Sequence, residues 1–252
     1  SEYIDKKMSK RAFETSEELK RTVHSWINNK RISEITETYG DISDWDVSRI
    51  DNMNSLFAGQ IEFQGDLSKW NVSNVSWMIG MFYGCKKFDC DLSKWNVSNV
   101  INMRGMFQYA SAFNNGGQDL SWNVSNVRDM SYMYCKSAQF NVNISKWNTG
   151  NVTHTECMFL NCEMFNCDLS NWNTSNVRMD TYMFHGCNKF NNSINGYRWF
   201  NDRVKINWHL IREAIKKRAI VIYWLDVSSR RACAEGGIAR QRDKEEFEND
   251  FM

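Results

Sequence analysis

Eight cysteines are the side chains of this 252-residue sequence best suited to chemistry, and several recur at fixed intervals. They form the patterns Cys85-x4-Cys90 and Cys157-x4-Cys162-x4-Cys167, whereas a zinc knuckle ordinarily needs an x2 spacing. Cys85, Cys162 and Cys187 share one register with Gln60, Ala110 and Ser137, and Cys90 shares another with Cys167. Cysteine exchanging with Ala and Ser reads as a small residue packed under a loop, with a zinc site or a disulfide as the other readings. His24, His154, His185 and His209 are scattered, and the acidic residues form no convincing pair. The sequence contains no G-x-G-x-x-G, Walker A, G-x-S-x-G or H-E-x-x-H. It therefore nominates no catalytic, cofactor-binding or metal-binding residue, and we expect a protein that is not an enzyme and needs no cofactor.

A second cluster could bind rather than react. Residues 198–231 hold nine basic and three acidic residues, and 232–252 hold three basic and six acidic. Trp208, Ile211, Ile215, Ala219, Ile222 and Leu225 fall at helical spacing around Lys216, Lys217 and Arg218, while Ile220, Val221 and Trp224 make the second half apolar on another face. One reading is a C-terminal cap helix. The other gives one face to capping and the second to a partner protein, which nominates Trp208, Ile211, Lys216, Lys217, Arg218, Val221 and Trp224 as protein-binding residues. The formal charge of the whole chain is only +1, so nucleic acid is not the favoured partner. No membrane span and no small-molecule substrate are expected.

These clusters flank a repeat. Trp45, Trp70, Trp95, Trp122, Trp147 and Trp172 are spaced 25, 25, 27, 25 and 25 apart, and Phe63, Phe88, Phe113, Phe140, Phe165 and Phe190 keep the same intervals. A two-residue box keeps them too, running from Leu56-Phe57 to Met183-Phe184. A fixed period in this range marks an array whose units share one core by stacking. Each unit reads as a short strand over Leu67–Val75, burying Leu67, Trp70, Val72 and Val75, and then a helical turn or two through Met78, Met81 and Phe82. The fold class expected is an α/β repeat solenoid of six coils of about 25 residues with helical caps. Asn74, Asn99, Asn126, Asn151 and Asn176 form one column and Asn71, Asn96, Asn123, Asn148 and Asn173 another. Each is either a ladder satisfying backbone groups of neighbouring coils or a polar binding face. Thr155 and Asp180 replace the first Met of the box, so the last copies should pack differently there.

The pattern DLSKWNVSNV followed by M..MF..C..F resembles the BspA-like repeat of bacterial surface proteins and mycoplasma lipoproteins, with similar arrays in protists, algae and large DNA viruses. The resemblance spans 39–195 and implies a leucine-rich-repeat-like solenoid with an interaction role and no activity. The expected organisation is a helical N-terminal cap at 1–40, the repeats at 41–195, a basic and apolar cap or docking helix at 196–231, and an acidic tail at 232–252. Within the cap, Thr15-Ser16-Glu17-Glu18 reads as a capping box leading into Leu19, Val23, Trp26 and Ile27, and Ser33–Tyr39 as a second helix ended by Gly40. Residues 1–20 show no apolar leader, which with thiols expected to be free points to a cytoplasmic or virion location. The function expected is a scaffold for protein–protein interaction, structural or assembly-related, with a surface adhesin as the alternative.

Overall fold

The computed structural model describes residues 10–190. Its first elements are helices α1 (Ser16–Ile27) and α2 (Ile32–Tyr39). The Thr15 hydroxyl accepts the Glu18 N–H at 3.1 Å, and the Glu18 carboxylate reaches back to the Glu14 N–H at 2.9 Å. That reciprocal capping satisfies one donor of the first turn, at Glu18, and the N–H of Glu14 just before the cap. Helix α2 ends at Gly40, whose φ of 87° is one that a side chain disfavours. Phe13 stacks on Tyr39 and also touches Trp45, while Trp26 meets Trp45 and Phe63 edge-on. The two helices thereby lay aromatic rings on the first repeat.

The repeats stack in register, but not as the strand-plus-helix coils of an α/β solenoid. Among the described residues no strand forms, and no helix lies within the repeats apart from single 3-10 turns at Ile42–Asp44 and Asn115–Gly117. Five isolated parallel bridges run from Asn52↔Trp77 to His154↔Met179. The expected strand over 67–75 is instead two tight turns, closed by Trp70 N–H to Leu67 C=O and Val75 N–H to Val72 C=O. Its apolar spacing of three, two and three residues belongs to turn ends rather than to the alternation of a strand. The four side chains named are buried all the same.

The expected helical turn is also a series of turns. In the first repeat, Leu56, Ala58 and Gln60 donate to the carbonyls three residues back. The alternate amides, Met53, Ser55, Phe57 and Gly59, donate to Trp77, Ile79, Met81 and Tyr83 of the next repeat at 2.7–2.9 Å. Ser55 and Gly59 are left-handed, which blocks an α-helix and turns every second N–H toward the neighbour. The i, i+3, i+4 spacing of an amphipathic helix is also the spacing of these turns, so periodicity alone cannot separate the two.

Aromatic columns fill the interior. Phe57, Phe82, Phe107, Tyr134, Phe159 and Phe184 stack with centroids 5.4–5.8 Å apart. The indole N–H groups of Trp70, Trp95, Trp122, Trp147 and Trp172 each donate to a carbonyl of the preceding repeat, as Trp122 does to Leu92 at 2.9 Å. The ring is thus buried without an orphaned donor.

Candidate interaction surface

Three columns of side chains outside the aromatic interior decide what the stack can offer. In the first, Asn99, Asn126, Asn151 and Asn176 donate their amides to backbone carbonyls of the preceding repeat at 2.6–2.7 Å, and Asn74 does so at 3.3 Å. The second Asn column caps its own turns: Asn71, Asn96, Asn123, Asn148 and Asn173 each accept the N–H two residues on. Asp46 does the same in the first repeat, and its bonds from Ser48 hold that carboxyl below its ordinary range. The ladder reading of the first column is therefore the one that forms.

The cysteines form the third column. The thiols of Cys85, Cys162 and Cys187 donate to the carbonyls of Phe57, Tyr134 and Phe159, and the Ser137 hydroxyl makes the equivalent bond to Phe107. Where the side chain there carries a donor, as Cys and Ser do, it seals a backbone carbonyl of the preceding repeat, and Ala110 fills the same position without one. All seven described cysteines are free thiols. Burial pushes Cys85, Cys135 and Cys187 up to about 12 and Cys90 up to about 11. A thiol held protonated is neither nucleophile nor metal ligand at neutral pH. No group of three or more His, Cys, Asp or Glu among the described residues could hold a metal ion.

The surface itself offers two features. A groove of about 740 Å³ opens between α1 and α2, lined by Arg11, Lys20, Arg21, His24, Arg31 and Glu34 among others. Arg11 is paired with Glu18 and Arg31 with Glu34. Burial works to raise Glu18, but the Glu14 N–H, the Tyr39 hydroxyl and Arg11 outweigh it and hold the carboxyl low. The second feature is apolar. Trp77 is 39% exposed and Ile101 37% exposed. The Trp77↔Asn102 bridge and the Ile101 N–H to Ser76 C=O bond place the two on neighbouring repeats. Sequence reasoning missed both. The available signal was register: Trp77 is a tryptophan outside the six-membered column, so the core does not require it.

The protein-binding residues expected at Trp208, Ile211, Lys216, Lys217, Arg218, Val221 and Trp224 lie outside the described residues. So do Cys233 and the acidic tail. Among the described residues, no helix is long and apolar enough to cross a membrane.

The repeat register decides the family. Two matches, over residues 27–121 and 117–219, are to the family described as Mycoplasma protein of unknown function, DUF285. The chain belongs to the DUF285 family. No curated protein and no solved structure matches it. The first DUF285 match takes in the first repeats together with Trp77 and Ile101, and the second takes in the remainder of the described stack.

Proposed function

We propose that this DUF285 chain is a non-enzymatic scaffold for protein–protein interaction, a structural or assembly component whose repeats present side chains at a fixed pitch. The observation that carries the reading is the exposed pair Trp77 and Ile101. Large apolar side chains held on an ordered surface without a core role are the usual anchors of a protein contact. The BspA-like character of the repeat, read from DLSKWNVSNV and its copies, supports an interaction role in the same direction. Free, buried thiols favour a reducing setting, cytoplasmic or within a virion assembled there. The 208–225 segment is a second candidate contact.

The test is site-specific photo-crosslinking in the native source, with a crosslinker at position 77 and a control at the exposed position 94. A discrete protein adduct at 77, lost in Ile101→Lys and absent at 94, supports the scaffold. Adducts only to glycans or lipids would favour the adhesin instead.

A further inference from the structure

One surface column of the stack carries opposite charges on either side of the exposed apolar pair. The amides of Ser76, Ile101, Arg128, Thr153 and Arg178 each donate to the carbonyl one repeat earlier in that column, starting from Asp51, at 2.8–2.9 Å. Neighbours in such a ladder stand about 4.8 Å apart, so about 14 Å separates Asp51 from Arg128. Asp51, Ile101 and Arg128 are exposed and Ser76 is half-buried. The adjoining column runs through Asn52, Trp77, Asn102 and Asp129 along the isolated bridges, which sets the exposed Trp77 beside Ser76.

Neither charge is neutralised among the described residues. The Asp51 carboxylate accepts the Ser16 hydroxyl at 3.2 Å, and neither it nor Arg128 joins an ion pair there. Elsewhere on the stack, charges one repeat apart do pair, as Lys69 does with Asp44 and Lys87 with Glu62. The face is also complementary to itself. Turned end for end and laid on its own copy, the column sets Asp51 against Arg128 and Ser76 against Ile101, and the adjoining column sets Trp77 against Asn102 and Asn52 against Asp129. A two-fold axis across the stack, between the second and third repeats, produces that match, and an isologous interface requires it. A parallel pairing would put Asp51 on Asp51 and Arg128 on Arg128, which like-charge repulsion disfavours.

We propose that this face is the contact between two copies of the chain with antiparallel stacks, Trp77 and Ile101 of both packed at the centre and Asp51 of each paired with Arg128 of the other. The assignment rests on the scaffold reading of Trp77 and Ile101 and names a second copy as the partner at that site.

The test is sedimentation equilibrium of the full chain over a range of concentrations. A face of this size predicts a reversible dimer with Kd on the order of 10 µM. Asp51→Arg and Arg128→Asp each bring like charges together at both ends and should weaken it by about tenfold or more. An equimolar mixture of the two variants restores opposite charges at both ends and should associate as the parent chain does. Ile101→Lys should leave only monomer. If Asp51→Arg does not fold, salt decides: sodium chloride should weaken the parent dimer and strengthen that of Arg128→Asp, because it screens attraction in one and repulsion in the other. A single-chain mass at about 1 mM, a dimer indifferent to Arg128→Asp, or a mixture that stays monomeric would overturn the antiparallel dimer. The two readings fail separately: a monomeric chain that still crosslinks from position 77 to a different protein loses the dimer and keeps the scaffold.

Discussion

The first three repeats and the last three share one backbone but fill its left-handed positions differently. In the first three, those positions hold Ser55, Gly59, Gly80, Gly84, Gly105 and Tyr109. In the last three they hold Tyr132, Lys136, Cys157, Asn161, Tyr182 and Gly186. A non-glycine residue there costs about 1–2 kcal/mol. The last three repeats carry that strain repeatedly and gain the Tyr132–Cys135–Cys157–Leu160 cluster on the turn face. Asn52, Asn102 and Asp129 accept the N–H two residues on, a column that Trp77 interrupts once in the first three repeats and His154 and Met179 interrupt twice in the last three, where Thr155 and Asp180 also replace the inward Met. The first three keep a glycine-rich turn face and present Trp77 and Ile101 beside it. Side chains at strained positions thus pack together in the half that has lost more of its caps.

The comparison can be broken first at the seam. Trp122 stacks between Trp95 and Trp147 at 6.5 and 6.1 Å, joining the halves. Trp122→Ala should lose about 3–5 kcal/mol in urea unfolding, as for a buried large-to-small change. An unchanged midpoint would separate the halves into independent units. Asn115 comes next. It is fully buried in the 27-residue repeat, accepting the Leu92 N–H at 2.8 Å and donating to the Gln118 carbonyl at 2.8 Å. Asn115→Ala should cost about 2–3 kcal/mol by orphaning both backbone groups.

Smaller effects sharpen the contrast. Gly84→Ala, at φ 69°, should cost about 1 kcal/mol, while Asn161→Gly at the equivalent position should be near neutral, because Asn tolerates that conformation. Equal and opposite changes would mean the strain is the same in both halves. Tyr134 stands in the Phe column with its hydroxyl buried and unbonded. Tyr134→Phe should therefore gain about 1 kcal/mol, read as a rise in melting temperature of about 2–4 °C.

Alkaline pH acts on the thiols. Their pKa values are raised by folding, so their contribution to stability is complete below about pH 9 and is lost as pH rises toward 12. Cys135, Cys157, Cys162 and Cys187 all lie in the last three repeats, so amides there should lose exchange protection first at pH 10.5. Earlier loss in the first three repeats would contradict that placement.

Much of the interior could be read from residue types at fixed intervals. The Trp and Phe columns, the inward Leu67, Trp70, Val72 and Val75, and the Asn ladder follow from a period shared by several independent markers. The capping box at Thr15 and the Gly40 stop were visible because each depends on neighbours in sequence. Local conformation was not. Spacings of three and four residues suit a helix and a chain of turns equally, and the choice depends on whether alternate amides bond within the repeat or to the next one. That depends on left-handed residues such as Tyr132 and Cys157, whose types do not announce it.

Amide hydrogen exchange of the third repeat tests the central claim most directly. If stacked turns carry the array, Met103, Gly105, Phe107 and Tyr109 exchange slowly, because each donates to the fourth repeat. Arg104, whose N–H is bonded only to its own Asn102 side chain, exchanges faster. Uniform protection from 103 to 110 would signal a helix, and protection of alternate amides across 92–100 a strand; either result would contradict the account.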